Sequence, residues 1–502
     1  MNHLSDDDLA LMLEGWRLTP GPIWRRLGSR LVTLVDEQVI PEGVRLPTER
    51  GLAVRLGISR STTTAAYRHA KQAGRVAGRR GAGSWALRPG TDRAAADRWA
   101  VPGAAGTGPS ATRRPAVPAG AFGTLGHRID GMIDLSLAEI RCDRHTRPLL
   151  AQFEPGRLAS LAAGTGYHPQ GLPALREHLA DHLTGTGVRA HPDEVLVTTG
   201  AQQAIWLATT VLCAPGSTVL VEQACYPGAL EVFRRLGLRA VPIPTDAQGP
   251  DPQALAALAA RTRPAMVYLV PAAGNPTGVV VPAQRLDAIA EVLAGSGVPL
   301  LEDRTAAPLA NPATLPAPLT ARLAPGAAVV VGSMSKVAWA GVRAGWVVAP
   351  AGLQRDLVSA RIAVDLAGSL ISQAVALHLV PHLPALAAAV RADLEQNQSA
   401  LRAALAERLP SWTGDEPDAG GWRWLRLPGD ARSLARAAAG HGVLVTPGPL
   451  FSAQAGLGDR VRIAAVESGE VLVEGVRRLA TAWGAVQHDR PEATDGRDLL
   501  LI

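Results

Sequence analysis

Lysine is almost absent from this chain: among its 50 lysine and arginine residues only two, Lys71 and Lys336, are lysines. Chemistry that needs a side-chain primary amine therefore has two candidates. Cysteine is scarce too. Cys142, Cys213 and Cys225 show no CxxC or Cys/His spacing, which argues against a disulfide framework or a zinc site and for a reducing compartment. Apolar runs are short: Ala327 to Val331 suits a buried strand and falls far below a membrane span. The opening stretch, Met1 to Asp8, is acidic and polar rather than a secretory signal. A cytoplasmic protein with no membrane partner is expected. Gly and Pro number 52 and 39 but lack a collagen-like period, and no internal repeat is visible.

What is present divides unevenly. A length of 502 residues implies two or three domains. Residues 1–86 hold 13 basic against 8 acidic side chains, whereas the remainder holds 37 against 36. A compact basic segment beside a neutral one suggests an anionic partner for the first segment, although a solvated basic face explains the charge equally well. Composition separates four regions. Residues 1–87 carry compact helical patterning. Residues 88–128 are Ala, Gly, Pro and Arg with few large aliphatics, and read as a linker. Residues 129–485 alternate short β-branched runs with Ala/Leu-rich helical stretches, and residues 486–502 form a polar tail. The runs Glu194–Thr198, Thr218–Glu222, Ala265–Val270, Pro299–Glu302 and Ala327–Gly332 predict an α/β, mostly parallel, doubly wound sheet.

In the first region Ile23, Leu27, Leu31, Leu34 and Val35 mark one face of a helix, which Pro41-Glu42-Gly43 ends. Thr48 is placed to cap a short second helix over Leu52–Leu56, with Gly51 where a reciprocal Glu or Gln would stand, and Gly57 closes it. Ser59 caps a third helix running to about Gln72. Two helices joined by a short turn make a helix-turn-helix, and Arg79-Arg80-Gly81-Ala82-Gly83 follows as a basic hairpin tip. Arg60, Ser61, Thr62 and Thr64 lie near the N-terminus of the third helix, where side chains reach base edges and main-chain NH groups meet phosphate. Arg79 and Arg80 are placed to reach backbone or minor groove. The run Leu46–Tyr67 resembles the GntR family of winged-helix regulators over roughly residues 20–87. That resemblance implies contacts with double-stranded DNA at Arg50, Arg60, Ser61 and the wing glycines Gly81 and Gly83. Thr64 stands where many members carry a second recognition-helix arginine, so the operator is not inferable.

In the large region Lys336 sits in Gly332-Ser333-Met334-Ser335-Lys336, directly after an apolar strand. An imine with an aldehyde cofactor needs such an amine in a pocket that lowers its pKa; a lysine snorkelling from the core edge is the plainer alternative. Gly200, Ala201 and Gln202 open a helix after a strand and offer main-chain NH groups to a phosphate, with Ser333 and Arg343 flanking the lysine for the same phosphate. Asn275, in Gly274-Asn275-Pro276-Thr277-Gly278, offers an amide to a ring oxygen. Asp303 ends a strand, where a carboxylate pairs with a ring nitrogen, and Tyr226 is placed to stack on the ring. Each is weak alone, since such residues also make turns and caps. Their order at the carboxyl ends of strands is the stronger signal.

Over about residues 130–485 the chain resembles the class I aminotransferase fold (fold type I) of pyridoxal-phosphate enzymes. Behind a GntR head and a long linker, the whole resembles the MocR subfamily. The resemblance implies pyridoxal 5'-phosphate on Lys336, a homodimer in which Tyr167 reaches the neighbouring subunit's cofactor phosphate, and Arg462 as the clamp for an effector carboxylate. One departure stands out: Thr305 and Ala306 follow Asp303 where members place a tyrosine bonded to the ring oxygen. Imine formation survives that loss, while efficient transamination is put in doubt. The expected function is a DNA-binding regulator sensing an amino compound, or the cofactor itself, through Lys336. The alternatives are an active aminotransferase with an accessory head and a DNA-binding dimer whose body is only a scaffold.

Overall fold

The computed structural model describes residues 4–13, 22–36, 40, 44–79, 83–87, 131–139, 144–162, 164–454 and 456–488. It divides into two compact units, Met1–Arg114 and Pro115–Ile502. The segment read as a linker, 88–128, lies outside the described residues.

The first unit contains α1 (Asp6–Met12), α2 (Ile23–Asp36), β1 (Arg45–Leu46), α3 (Glu49–Leu56), α4 (Arg60–Gln72), β2 (Val76–Arg79) and β3 (Gly83–Ala86). The strands pair antiparallel in the order β1-β3-β2. The caps behave as their residues require. Thr48 Oγ1 accepts from Gly51 N at 3.0 Å, Gly57 ends α3 with φ 66°, and Ser59 Oγ accepts from Thr62 N at 3.1 Å. Those bonds satisfy helix-end groups that would otherwise lack partners. Leu27, Leu31, Leu34 and Val35 bury against Leu52, Ala66, Tyr67 and Ala70, and Tyr67 OH donates to Pro47 O at 2.9 Å.

Three expectations change here. The acidic opening stretch is not merely polar: it leads into α1, whose Leu9, with Leu13 just beyond its end, is fully buried in the same core. Ile23 is 45% exposed, so the apolar stripe of α2 begins at Leu27. The helix α3 starts at Glu49, directly after the expected Thr48 cap, so it is longer at its N-terminus than the span Leu52–Leu56.

In the second unit a seven-stranded sheet runs, in spatial order, Val195–Thr198, Gly345–Val348, Ala328–Ser333, Leu300–Asp303, Met266–Leu269, Thr218–Glu222 and Arg239–Ile243. All pairings are parallel except the two made by Gly345–Val348. Five strands match the apolar runs. Arg239–Ile243 was not foreseen, since an arginine and Pro242 interrupt its pattern; its place at the sheet edge explains how the proline is tolerated. Gly345–Val348 escapes notice because four residues beginning with glycine carry little signal. Apolar clusters cover both faces of the sheet.

A smaller antiparallel sheet of Trp422–Arg426, Arg460–Ala464 and Thr446–Pro447 lies beyond. The last described helix, Gly469–His488, carries the body past residue 485, and residues 489–502 of the tail lie outside the described residues. Among the described residues one stretch, Leu370–Arg408, is long and apolar enough to cross a bilayer. Here it is a core element, with a 3-10 turn at Val380–His382 and Leu379, Leu383, Leu386 and Val390 packed inward.

Candidate functional site

The strand ends of the large sheet converge on a cavity of about 390 Å³. Gly200, Ala201, Gln202, Tyr226, Asn275, Asp303, Ser333, Lys336, Arg343 and Arg462 all line it. Residues that the sequence scatters over more than 260 positions are brought together because parallel strands open their carboxyl ends on one edge.

One end of the cavity is a cup for an oxyanion. Helix Ala201–Leu212 starts there, with Gly200 at its N-cap and φ 122°. A Cβ on Gly200 would stand 3.4 Å from Arg343 Nη2, in a conformation that L side chains rarely adopt. Arg343 is exposed, and its guanidinium forms no hydrogen bond or ion pair among the described residues. Ser333 ends its strand, with its hydroxyl 3.1 Å from Ser335 Oγ and 3.2 Å from Ala344 O. Helix N-terminal NH groups, an unpaired guanidinium and two hydroxyls suit a phosphate.

The middle of the cavity is built around Asp303. Its Oδ2 accepts from Tyr268 OH at 2.8 Å and its Oδ1 from Thr305 N at 2.9 Å. Burial raises its pKa, while the bonds from Thr305 and Tyr268 and the charge of Lys336 hold it down. Tyr226 OH donates to Gln202 Oε1 at 3.2 Å, and burial raises its phenol above the ordinary range. Asn275 Oδ1 accepts from Arg462 Nη1 at 2.9 Å, which leaves the amide NH₂ as the group available to a ring oxygen.

Lys336 follows Ser333 in a 3-10 turn and is half-buried. Its Nζ donates to Ala138 O at 2.6 Å. Burial lowers the amine to about 8, the Arg462 charge assists, and Glu139 and Asp303 oppose. Such an amine is neutral far more often at pH 7 than an ordinary lysine. Arg462 lines the same cavity and is 7% exposed. Its Nη2 donates to Ser136 O and, at 3.4 Å, to Thr446 Oγ1, and its guanidinium carbon lies 5.0 Å from the centre of the Phe451 ring. Burial lowers its pKa to about 10. Its Nε is buried without a partner. The expected clamp is therefore already engaged with the protein, and a ligand carboxylate would use the remaining N–H groups or exchange with Ser136 O.

Sequence reasoning missed Leu137, Ala138, Glu139 and Trp422 on the cavity wall, and Tyr268 behind Asp303. No local motif marks them, since each reaches the site through pairing with distant chain. Tyr167 does not line the cavity and is 61% exposed; its expected role concerns a second subunit.

In the first unit Arg50, Arg60 and Ser61 are exposed and Ser59 caps α4, as expected. Thr62 is half-buried, its Oγ1 2.7 Å from Ser59 Oγ. Thr64 departs from the expectation: its hydroxyl donates to Glu49 Oε2 at 2.7 Å, so it braces α4 against α3. Lys71 also turns to Glu49, at 3.6 Å. Arg79 ends β2 and Gly83 begins β3, while Arg80 and Gly81 lie outside the described residues.

Residues 131–479 match the family described as aminotransferase class I and II. The 2-aminoadipate transaminase of Thermus thermophilus is 34% identical over 327 residues, covering 63% of this chain and 81% of that one. The HTH-type transcriptional regulator TauR of Rhodobacter capsulatus is 27% identical over 515 residues, covering 94% of this chain and all of its own. Among solved structures, LysN, the α-aminoadipate aminotransferase of Thermus thermophilus with N-(5'-phosphopyridoxyl)-L-leucine, superposes with a TM-score of 0.65. It is 29% identical and covers 72% of this chain and 94% of that one.

The cofactor indicated is pyridoxal phosphate, and the cavity fits it: a glycine-lined cup under an unpaired Arg343, a buried carboxylate and an amine lowered to about 8. Gly200→Ala, which brings a strained backbone and a methyl against Arg343, is expected to weaken cofactor binding about tenfold. An unchanged dissociation constant in an absorbance titration would remove Gly200 from the cup. From the match over its body, the cavity at its strand ends and a regulator relative spanning 94% of its length, the chain belongs to the class I and II aminotransferase family, among members that carry a helix-turn-helix head.

Proposed function

We propose that this chain is a DNA-binding transcription regulator that carries pyridoxal phosphate on Lys336 and senses an amino compound, or the cofactor itself, in the cavity beside it. The carrying observation is the pairing of a helix-turn-helix unit with a cavity that one of only two lysines lines together with Arg462 and Asp303. When bound, the cofactor supplies an electrophilic aldehyde and an electron-withdrawing ring.

The chain's own residues would do the rest. Arg343, Ser333 and the NH groups after Gly200 would hold the phosphate, and Asp303, oriented by Tyr268, would keep a proton on the ring nitrogen. Asn275 would donate to the ring oxygen, Tyr226 would flank the ring, and Arg462 would receive a ligand carboxylate. In the head Arg50, Arg60, Ser61 and the basic hairpin meet DNA. The reading includes a homodimer, with Tyr167 reaching the partner's phosphate.

A ligand changes regulation only by favouring one arrangement of the chain over another. Affinity for a promoter fragment, or its bending, is therefore expected to change when the right amine is added to cofactor-loaded protein. Identical DNA binding across a broad panel of amines, with and without cofactor, would sink the sensor reading.

A second reading, a working aminotransferase, draws support from the relative of 34% identity. Stopped-flow absorbance with amino acids separates the two. Rapid, complete conversion of the aldehyde cofactor to its amine form favours the enzyme, and its absence favours the regulator. Thr305 and Ala306 both lie at the cavity, so no phenol follows Asp303 there.

A further inference from the structure

The wall of the cavity carries one carboxylate that nothing so far employs. The segment Leu135–Glu139 runs along that wall with its backbone pinned. Ala464 N donates to Leu135 O at 2.8 Å, Thr446 Oγ1 to Ser136 O at 2.9 Å, Arg462 Nη2 to the same oxygen, and Lys336 Nζ to Ala138 O at 2.6 Å. The last residue so placed is Glu139, exposed at the cavity. Among the described residues Glu139 forms no hydrogen bond or ion pair. Its charge is felt by Lys336 and by Tyr226, which line the same cavity.

Every other charged group lining the cavity has a counterpart in the bound molecules. Arg343 answers the phosphate, Asp303 the ring nitrogen, and Arg462 a ligand carboxylate. Lys336 is the amine that would carry the aldehyde. Glu139 is left over. We propose that Glu139 selects a ligand with a second positive charge, an amino acid or amine bearing a cationic group beyond the amine presented at Lys336. The proposal rests on the sensor reading above and names its ligand class. A cation beside Glu139 gains Coulomb energy in a partly water-excluded cavity, and a second carboxylate there is repelled. A neutral side chain does neither. Because Glu139 is solvated at the rim, the discrimination is expected to be about tenfold rather than thousands, and to shrink in high salt.

The test is a titration of cofactor-loaded full-length protein, followed by cofactor absorbance, with L-ornithine, its neutral isostere L-norleucine, and L-glutamate. Ornithine is expected to bind about tenfold more tightly than norleucine, and glutamate more weakly than either. In Glu139→Gln the ornithine-to-norleucine ratio falls to near one, and in Glu139→Lys the order turns toward glutamate. The norleucine affinity of each variant is the internal reference, so a general loosening of the cavity is not mistaken for lost charge selection. Equal binding of ornithine and norleucine by the parent protein, or a ratio unchanged in Glu139→Gln, overturns the proposal and leaves the sensor reading standing. If no amino acid perturbs the cofactor while Lys336 still carries it, the proposal and the amino-effector reading fall together.

Discussion

Lys336→Ala is expected to yield a protein that no longer forms a borohydride-stable bond to pyridoxal phosphate and whose DNA affinity no longer responds to amines. The chain makes this test unusually clean. Its only other lysine, Lys71, lies in the other compact unit and pairs with Glu49. Reduction and peptide mapping of the parent protein should therefore label one lysine, at position 336. Lys336→Arg, which keeps a cation but has no reactive amine, should also remain unlabelled.

The pH dependence follows from the same site. Burial and the Arg462 charge lower the Lys336 amine to about 8, from 10.5 for an ordinary lysine. Only the neutral amine attacks an aldehyde. Below pH 8 the uptake rate should fall about tenfold per unit, and above it the rate should level off. At pH 7 the lowered value makes the neutral amine roughly 300-fold more abundant than on an exposed lysine. A rate that keeps rising through pH 10 would show an amine with no such environment. A label at Lys71, or none on either lysine in cofactor-saturated protein, would end the sensor account while leaving the DNA-binding head untouched.

Glu222→Gln is expected to remove a large part of the pH dependence of stability above pH 5. Glu222 ends the strand next to the sheet edge and is buried, with Val270 N donating to its Oε2 at 3.2 Å. Burial, aided by the nearby Asp303 charge and opposed by that one bond, raises its carboxyl to about 8 from an ordinary 4.5. Below about pH 4.5 both folded and unfolded chains hold the proton. Between 4.5 and 8 the folded chain keeps a proton that the unfolded chain has released, so stability falls as pH rises. The slope reaches about 1.4 kcal/mol per pH unit and ends above pH 8.

Glutamine keeps an acceptor for Val270 N and cannot ionise. Urea unfolding of parent and variant from pH 5 to 9 should show the variant gaining relative stability steadily up to pH 8. Parallel curves would mean that Glu222 is not held neutral in the fold.

Much of the candidate site was legible in the sequence because its residues sit in short local motifs after apolar strands. Gly200 to Gln202, Asn275, Asp303, Ser333 and Lys336 each follow such a strand, and a doubly wound sheet places all such ends on one edge. The scarcity of lysine singled out Lys336 further. The head was legible through its caps, Thr48, Gly57 and Ser59, whose conformations are set by their own side chains or the lack of one.

Other features carried no local signal. Leu9 and Leu13 lie in an acidic stretch whose burial depends on the core they enter. Thr64 looked free to face DNA until α3 brought Glu49 beside it. Tyr268 reads as one more apolar strand residue, and only the neighbouring strand turns its hydroxyl into a partner for Asp303. Glu139 follows an ordinary run and becomes a cavity residue because Lys336, 198 positions from Ala138, and Arg462, 326 positions from Ser136, bind the backbone just before it.

The sequence by itself determined the two units, the alternation of strands and helices, the helix caps and the amine, since periodicity, capping and composition act over a few residues and need no knowledge of distant chain. Tertiary structure decided the strand order, the antiparallel Gly345–Val348, the state of Arg462 and the charges that share the cavity. Those depend on pairings between residues hundreds of positions apart, and on a burial that exists only once the sheet has formed and excluded water from the groups it brings together.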